Sequence, residues 1–433
     1  MHSTISRRDA LLATGFGGLL MPASLSHAQP ARPTEIKVGV VTILSGPASV
    51  FGVPGRNAAE MLFEEINRAG GIGGVPVRAI FVDEGPGVEH TLGEIRRLVQ
   101  NERVDLLLSS ISSGSCLACT PVAEELKKPV LLWDCGTQRI FEERSYEYAF
   151  RTQANATPEV LAPLLYTLKR KPNLRSVAVI NQDYAWGRDS WEIWKTGMDA
   201  LRPGVRVAAE LFPRFNSTDF STEITRLLAL RPEVIFTTSW GGELDTFIKQ
   251  AAERRLFERS TLVMPLAESS LERVGHALPP GHFIGARGDH WHLHPNPADP
   301  AKLRGFVENY RRRFNAWPIY PTHHMYQAIS AMRTAYAKAL ETTGGAWPSD
   351  AQLARAFHGL EFDSLTSRIK IRPDGQGLEP QLIGTTVRSG DLPFPVMNDM
   401  VIYPPELITA PVGQKSVDWL KTLTPDFLNR APG

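Results

Sequence analysis

Short apolar runs alternate with amphipathic helical segments along most of the chain, and this alternation restricts the fold more than any other feature. A first series reads IKVGVV, VRAIFVD, VDLLLSS and PVLLWD, and a second reads SVAVINQ, RVAAELF, EVIFTTS and TLVMPL. Val and Ile occupy both faces of these runs, which is typical of parallel strands covered by helices on both sides. The sequence therefore predicts an α/β fold with two doubly wound parallel-sheet units in tandem.

The glycine-rich segment AGGIGGVPV (69–77) follows a helical stripe that includes Ala58, Leu62 and Ile66. In a dinucleotide-binding loop the glycines follow a strand and open a helix. Here they close a helix and lead into a strand, so they predict a helix C-cap and a tight turn. The sequence also contains no P-loop, no G-x-S-x-G and no H-E-x-x-H. We therefore predict no catalytic residue and no cofactor.

The N-terminus has the features of an export signal. Ser6-Arg7-Arg8 precedes an uncharged apolar run to Leu20, and small residues follow at Ser26 and Ala28. This order favours a signal of the twin-arginine (Tat) type at residues 1–28. The apolar run is too short to span a bilayer, which takes about 20 residues. We expect a soluble mature chain in the periplasm without stable membrane insertion.

Charge and cysteine content exclude further classes. The formal net charge is +1, which argues against nucleic acid or an anionic membrane surface as a partner. Three cysteines allow one internal disulfide at most and leave one thiol over, so disulfides do not build this fold.

Two of the cysteines, Cys116 and Cys119, have C-x-x-C spacing in the segment SISSGSCLACTPVAEEL. If a helix begins at Thr120-Pro121, both thiols lie in the preceding loop. If it begins near Ser115, they lie in its first turn and Pro121 kinks it. An exported thiol-redox protein is one interpretation. A zinc site needs a second cysteine pair, and only Cys135 is available. The favoured interpretation is a serine-rich turn at a strand end that receives an anionic head group.

Histidines form a second candidate for chemistry. His290, His292 and His294 alternate in DHWHLHP, so on an extended segment they point to one side and could bind a metal. A Pro-punctuated polar loop is the favoured alternative, because no carboxylate or Cys stands at ligand spacing; no metal is predicted. His323 and His324 open a helix as a packing or surface pair. Further on, SRIKIRPDGQGLEPQLIGTTV alternates like a hairpin with a turn at Asp374-Gly375.

With these motifs in order, the chain resembles the type I periplasmic binding proteins of ABC transporters, in the leucine/isoleucine/valine-binding group, over about Ile36 to Val387. The resemblance rests on VTILSGPASVFGVPGRNAAEMLFEEINRAGGIGG, TPVAEELKKPVLL, FRTQANATPE, NQDYAWGRDSW, FNSTDFSTEITRL and VIFTTSWGGELDTFIKQA. It implies two lobes joined by three crossovers that close on a ligand in the cleft. The implied division is residues 29–152 with about 284–362 for lobe one, 153–283 with about 363–388 for lobe two, and a Pro-rich tail at 389–433.

The resemblance also implies a set of ligand-binding residues. The serine-rich turn binds a carboxylate, the loop after the next strand adds contacts, aromatic side chains line both walls, and an acidic residue after TLVMPL pairs with an ammonium group. In this sequence these positions are Ser113, Gly114 and Ser115; Asp134, Cys135, Gly136 and Thr137; Phe51, Trp186 and Trp240; and Glu268. Packing between lobes is the alternative for both tryptophans, and helix capping is the alternative for Ser115.

The predicted function is a periplasmic receptor without catalysis, which captures a branched-chain amino acid or a related aliphatic or aromatic carboxylate for ABC transporter permease subunits. Two tryptophans in the cleft favour a broad apolar or aromatic ligand body. An amide sensor of the same fold is the other alternative, and the export signal argues against it.

Overall fold

The computed structural model describes residues 31–433. The predicted export signal at residues 1–28 lies outside the described residues. Within residues 31–433, no helix combines the length and the apolar character needed to cross a bilayer.

The first sheet has five parallel strands, namely β1 (Ile36–Thr42), β2 (Val77–Asp83), β3 (Leu106–Ser109), β4 (Val130–Leu132) and β5 (Ala149–Arg151). They lie in the order β2-β1-β3-β4-β5. The connecting helices are α1 (Ser49–Arg68), α2 (Val88–Gln100), α3 (Ser113–Glu125) and α4 (Arg139–Glu143). In β1, Val38 and Val40 enter the core on one face of the sheet and Val41 enters it on the other. Burial on both faces explains why the strand sequences show no polar alternation.

The second sheet has seven strands, in the order β15-β14-β10-β9-β8-β6-β7. Five of them are mutually parallel: β6 (Ser176–Ile180), β7 (Arg206–Leu211), β8 (Val234–Phe236), β9 (Thr261–Met264) and β10 (Phe283–Gly285). The other two, β14 (Gln381–Val387) and β15 (Val396–Tyr403), extend one edge of the sheet. Strand β14 is antiparallel to β10, and β15 is antiparallel to β14. The helices that cover this sheet are α5 (Ala156–Arg170), α6 (Ala185–Leu201), α7 (Ser221–Leu230), α8 (Gly241–Glu253) and α9 (Leu271–Val274).

After β10 the chain returns to the first sheet through α10 (Pro300–Phe314), α11 (Tyr320–Thr342) and α12 (Asp350–Phe357). Local chemistry fixes where two of these helices begin. The Asp299 carboxylate accepts the N–H groups of Ala301 and Lys302 at the start of α10, and Ser349 and Gln352 form a capping box at α12. Helix α11 packs against α1. We call the first sheet with α1–α4 and α10–α12 lobe one, and the second sheet with its helices lobe two.

The C-terminal part departs from the predicted division. Strands β11 (Glu361–Asp363), β12 (Arg368–Ile371) and β13 (Gly377–Leu378) form a small antiparallel sheet of their own. This sheet lies beside β5, where the Arg151 N–H donates to the Gly375 carbonyl at 2.8 Å. The predicted hairpin around Asp374-Gly375 is thus confirmed, but it does not belong to lobe two.

The predicted tail also contains regular structure. It supplies β15 to the second sheet, followed by the short helices α13 (Pro405–Ile408), α14 (Ser416–Lys421) and α15 (Phe427–Arg430) on lobe two. Strand β15 was not predicted because prolines interrupt the apolar pattern on both sides of it.

Candidate ligand-binding site

The carboxyl ends of the parallel strands of both lobes face one cleft, which contains two adjoining cavities. The inner cavity has a volume of about 10 Å³, which is roughly the room of one water molecule. It is lined mainly by aromatic residues, with one arginine, and the full set is Phe51, Ile111, Ser113, Gly136, Tyr184, Trp186, Trp240, Leu266, Arg287 and Tyr320. Residues of both lobes therefore meet at this point.

The outer cavity measures about 440 Å³, within the range of about 300–1,000 Å³ typical of small-molecule sites. Lobe one contributes the loops after β1 and β2 and the start of α3, including Gly114 and Ser115, whereas Tyr184, Phe215 and Asn216 come from lobe two. Tyr184 lines both cavities. The two cavities thus form one cleft with a narrow aromatic floor and a wider mouth.

The predicted serine-rich turn lies at the amino end of α3, which begins at Ser113 and includes Pro121. The N–H groups of the first turn have no partner inside the helix. Just before it, the N–H groups of Ile111 and Ser112 both donate to the Glu84 carboxylate at 2.9 Å. Burial raises the pKa of Glu84 to about 7, although these N–H groups and the Ser115 hydroxyl oppose the shift. The Glu84 carboxyl group therefore already occupies two N–H groups of the turn that was predicted to bind an anion.

The loop after β4 is tied to this turn in two ways. Cys135 forms a disulfide with Cys116 in the first turn of α3, and the Thr137 N–H donates to the Ser113 hydroxyl oxygen at 3.2 Å. The redox interpretation of the C-x-x-C spacing is wrong, because Cys116 is bonded to Cys135. The thiol of Cys119 is buried, and burial raises its pKa to about 12.

Aromatic side chains close the cleft from both sides. Phe51 of lobe one stacks on Trp240 of lobe two, with ring centroids 5.3 Å apart and planes inclined by 21°. The indole N–H groups are satisfied, since Trp240 donates to the Tyr184 hydroxyl at 2.7 Å and Trp186 donates to the Thr238 carbonyl at 2.9 Å. Both tryptophans line the inner cavity and also pack across the cleft. Lining the cavity and packing between lobes are therefore compatible.

Arg287, which follows β10, brings a positive charge to the inner cavity. Its Nε donates to Glu159 and its Nη1 donates to Asp134, both at 2.9 Å. Burial alone would lower the pKa of Arg287, but these two carboxylates outweigh burial and raise it further above its usual value. The guanidinium also lies against the rings of Trp186 and Tyr320, at 5.3 Å and 5.4 Å from their centroids.

The two acids beside Arg287, Asp134 and Glu159, have raised pKa values. Burial raises the pKa of Asp134 to about 7 and that of Glu159 to about 8, against the opposing effect of Arg287. One oxygen of each carboxyl group has no hydrogen-bond partner within the described residues. The Tyr320 hydroxyl, on the wall of the inner cavity, is likewise buried without a partner there. Among the described residues, the wall of the inner cavity therefore carries the Arg287 guanidinium and no carboxylate.

Four predicted site residues line neither cavity, namely Asp134, Cys135, Thr137 and Glu268. Glu268 is the one predicted to pair with an ammonium group. It lies behind Tyr320, whose N–H donates to its carboxylate at 3.2 Å. Burial raises the pKa of Glu268 to about 8, so its carboxyl group is largely protonated at pH 7. In this arrangement the described residues place no carboxylate on the wall of the inner cavity.

Five residues that line the inner cavity were not predicted from the sequence: the apolar Ile111 and Leu266, and the polar or charged Tyr184, Arg287 and Tyr320. Arg287 and Tyr184 carry a sequence signal, because both follow apolar strand runs where doubly wound folds place their ligands. Tyr320 has none, since it opens a helix remote in sequence from every other part of the site. Its role depends on the return of α11 to lobe one.

Two lobes joined by three chain passages, with a cleft between two parallel sheets, define a hinged ligand-binding protein. Comparison with known families places it more narrowly. The family model described as periplasmic binding protein matches residues 35–391. The chain belongs to this family.

The individual relatives described below are 16% to 26% identical to this chain. A Leu/Ile/Val-binding protein homolog 7 of Brucella melitensis is 26% identical over 315 residues, which cover 69% of this chain and 76% of the relative. A solute binding protein of an ABC transporter from Rhodopseudomonas palustris, solved with 3,4-dihydroxybenzoic acid, has a TM-score of 0.74 at 22% identity and covers 86% of this chain and 98% of its own. An amino acid ABC transporter substrate-binding protein from Pseudomonas fluorescens has a TM-score of 0.73 at 16% identity, covering 89% and 98%. At these identities the solved structures establish similarity of fold only.

Proposed function

We propose that this chain is the periplasmic receptor of an ABC transporter and captures a small carboxylate with a flat or branched apolar body. It acts by binding and lobe closure, without catalysis. The observation that carries the proposal is Arg287, a buried guanidinium on the wall of a cavity that has five aromatic side chains and no carboxylate in its lining. A buried cation of this kind favours an anionic ligand group, because a charge removed from water needs a partner.

The geometry around Arg287 supports a carboxylate. Its Nε and Nη1 are engaged by protein carboxylates, whereas Nη2 lies beside Gly136, where an added Cβ would stand 2.9 Å from it. Ser113 on the same cavity contributes a hydroxyl group, and the start of α3 contributes free N–H groups. Planar guanidinium groups match carboxylates well. These groups together provide one corner for an anionic head group.

The rest of the cavity supports an aromatic body. The faces of Phe51 and Trp240 meet from opposite lobes, and a planar ring between them would stack on both. An ammonium group would need an acidic partner, and Glu268 lies behind Tyr320 and not on the inner wall. These features favour an aromatic acid over a branched-chain amino acid. The ligand of the Rhodopseudomonas relative, 3,4-dihydroxybenzoic acid, belongs to the favoured class.

Isothermal titration calorimetry with benzoate, 4-hydroxybenzoate, benzamide and leucine tests the proposal. We expect at least one benzoate to bind and benzamide to bind much more weakly. Arg287→Met should weaken benzoate binding roughly 10- to 100-fold, because hydrogen bonds to charged groups contribute about 1.5–3 kcal/mol. Arg175→Met is the matched control, since the Arg175 side chain is 87% exposed. Preferential binding of leucine, or equal affinity in Arg287→Met, would reject the aromatic-acid proposal.

Export is proposed on the twin-arginine sequence Ser6-Arg7-Arg8 and fits the family of the chain. We expect an epitope-tagged full-length chain to be recovered in the periplasmic fraction of its host. Replacement of Arg7 and Arg8 together by Lys should retain it in the cytoplasm, whereas replacement of Arg32 by Lys should not. Equal export of the double variant would reject a Tat signal.

A further inference from the structure

A group of buried histidine and carboxylate side chains lies next to the cleft, and the proposed function does not use it. His290, His324 and Glu379 each offer a ligand atom within 4.8 Å of the others, and all three side chains are fully buried. They come from the loop after β10, the first turns of α11 and the link between β13 and β14. The fold thus brings the carboxylate of Glu379, which is remote in sequence, next to a histidine of DHWHLHP.

The atoms of this group are already close to the spacing of metal ligands. His290 Nε2 lies 2.6 Å from Glu379 Oε1, and the Gln327 side-chain nitrogen lies 2.6 Å from that oxygen and 3.1 Å from His290 Nε2. Ligands at about 2.0–2.1 Å from a tetrahedral zinc stand about 3.3 Å apart. Shifts of less than an ångström would therefore admit an ion between His290 and Glu379.

Several buried nitrogens nearby lack a partner within the described residues. These are Nδ1 of His290, Nε2 of His294 and both ring nitrogens of His292 and His323. The His323 ring lies 5.1 Å from that of His290. Buried polar atoms without partners are uncommon, and an ion or water that binds them is one established explanation. The site therefore has more ligating capacity than its own hydrogen bonds use.

We propose that His290, His324 and Glu379 bind a divalent transition-metal ion of the zinc class, with His323 as an additional nearby imidazole. Two imidazoles and a carboxylate are ligands that zinc prefers. The ion joins segments at two of the chain passages between lobes, so it stabilises the hinge region. His324 would exchange its contact with Asp134 or with the Arg287 carbonyl for the ion, which links this site to the ligand-binding arginine.

The test uses the full mature chain, purified without a polyhistidine tag. After chelation and dialysis, we expect one equivalent of Zn²⁺ to bind in calorimetry, and Co²⁺ to give visible absorption bands typical of bound nitrogen and oxygen ligands. His290→Ala and the nearly isosteric Glu379→Gln should each weaken Zn²⁺ binding at least 10-fold. Circular dichroism and thermal denaturation of each variant establish that it is folded.

His292→Ala is the matched control, because His292 is a histidine of the same segment whose ring packs against Trp291 and Trp317, outside the three-residue group. It should bind Zn²⁺ as the parent chain does. Failure of the folded parent chain to bind Zn²⁺, or unchanged binding in folded Glu379→Gln, would overturn the proposal. Binding lost equally in His292→Ala would also overturn it, since the ion would then lie elsewhere.

Discussion

At the scale of single residues, Arg287 gives the strongest support to the proposed ligand site. Its backbone is left-handed, with φ of 42°, a conformation that costs a residue with a side chain about 1–2 kcal/mol. Its charge is also removed from water. Such features persist where the surroundings hold them in place, and they cluster at ligand sites. Two ion pairs and contacts with two aromatic rings keep Arg287 in place.

Gly136 is the residue whose lack of a side chain gives Arg287 and Trp186 their positions. A Cβ added there would stand 2.3 Å from a Trp186 ring carbon. We expect Gly136→Ala to displace the indole, to lower stability by about 1–3 kcal/mol and to weaken ligand binding. Gly93→Ala in α2 is the control, since an added Cβ there would have no neighbour within 4 Å. Thermal denaturation and calorimetry of both variants check this, and equal behaviour of the two would contradict it.

At the scale of elements, the disulfide joins the start of α3 to the loop after β4, the two segments that hold Ser113 and Gly136. It closes a loop with a sequence separation of 19 residues, and cross-links of this size stabilise by about 3 kcal/mol in the chain-entropy model. We expect replacement of Cys116 and Cys135 together by Ser to lower the urea midpoint of lobe one and to weaken ligand binding.

Cys119→Ala is the control for that pair, because it removes the free buried thiol and keeps the disulfide. It creates a small core defect but should leave affinity unchanged. If the double variant binds ligand as tightly as Cys119→Ala, the cross-link does not position the cleft loops.

Strands and helix ends could be predicted from the sequence where local chemistry determines them. All eight predicted strand runs contain a strand, because Val- and Ile-rich runs buried on both faces have few alternatives. The glycines after α1 are at a helix end, with Gly70 and Gly71 at positive φ. The helical stripe of Ala58, Leu62 and Ile66 does not show where α1 begins, since the helix starts at Ser49 and includes Pro54.

Features that depend on long-range contacts were not accessible from the sequence. The pairing of Cys116 with Cys135, and not with Cys119, follows from the adjacency of β3 and β4. The approach of Glu379 to His290 requires the chain to pass between lobes three times. Tyr320 reaches the cleft only because α11 packs on α1. In each case the partners are far apart in sequence, so no local pattern identifies them.

At the scale of the whole molecule, the lobes are closed on one another. The Gly242 N–H donates to the Pro47 carbonyl at 3.3 Å, and the Thr137 hydroxyl donates to the Asp189 carboxylate at 2.6 Å. Together with the stacked Phe51 and Trp240 rings, these contacts leave little room in the inner cavity. A ligand therefore enters when the lobes separate and is retained when they close.

We expect Thr137→Val to favour the open arrangement, because it removes the hydroxyl that bonds to Asp189 and keeps the shape of the side chain. Ligand affinity should fall by roughly 5- to 10-fold, as a contact made only in the closed state contributes about 1 kcal/mol. Small-angle scattering should show a larger radius of gyration without ligand. Thr225→Val on the exposed face of α7 is the control, and an unchanged affinity in Thr137→Val would contradict the expectation.

Two sets of buried titratable groups act in opposite directions on stability. Burial raises the pKa of Glu159 and Glu268 to about 8. Between pH 4.5 and 8 the folded chain therefore holds protons that the unfolded chain releases, and stability falls as pH rises. Burial lowers the pKa of His282 and His294 to about 4 and that of His292 to about 3. Below pH 6.5 the unfolded chain binds protons that these histidines do not, so acid lowers stability.

The two effects oppose each other between about pH 4.5 and 6.5, and the buried carboxyl groups continue to act above that interval. We therefore expect a plateau of the melting temperature near pH 5–6.5 and a steady decline from pH 6.5 to 8.5, measured at constant ionic strength. Glu268→Gln keeps an oxygen acceptor for the Tyr320 N–H and cannot ionise, so it should make the decline shallower. Glu258→Gln, at an exposed ion pair, should not. A melting temperature that rises between pH 6.5 and 8.5 would mean that the buried acids are ionised in the folded protein.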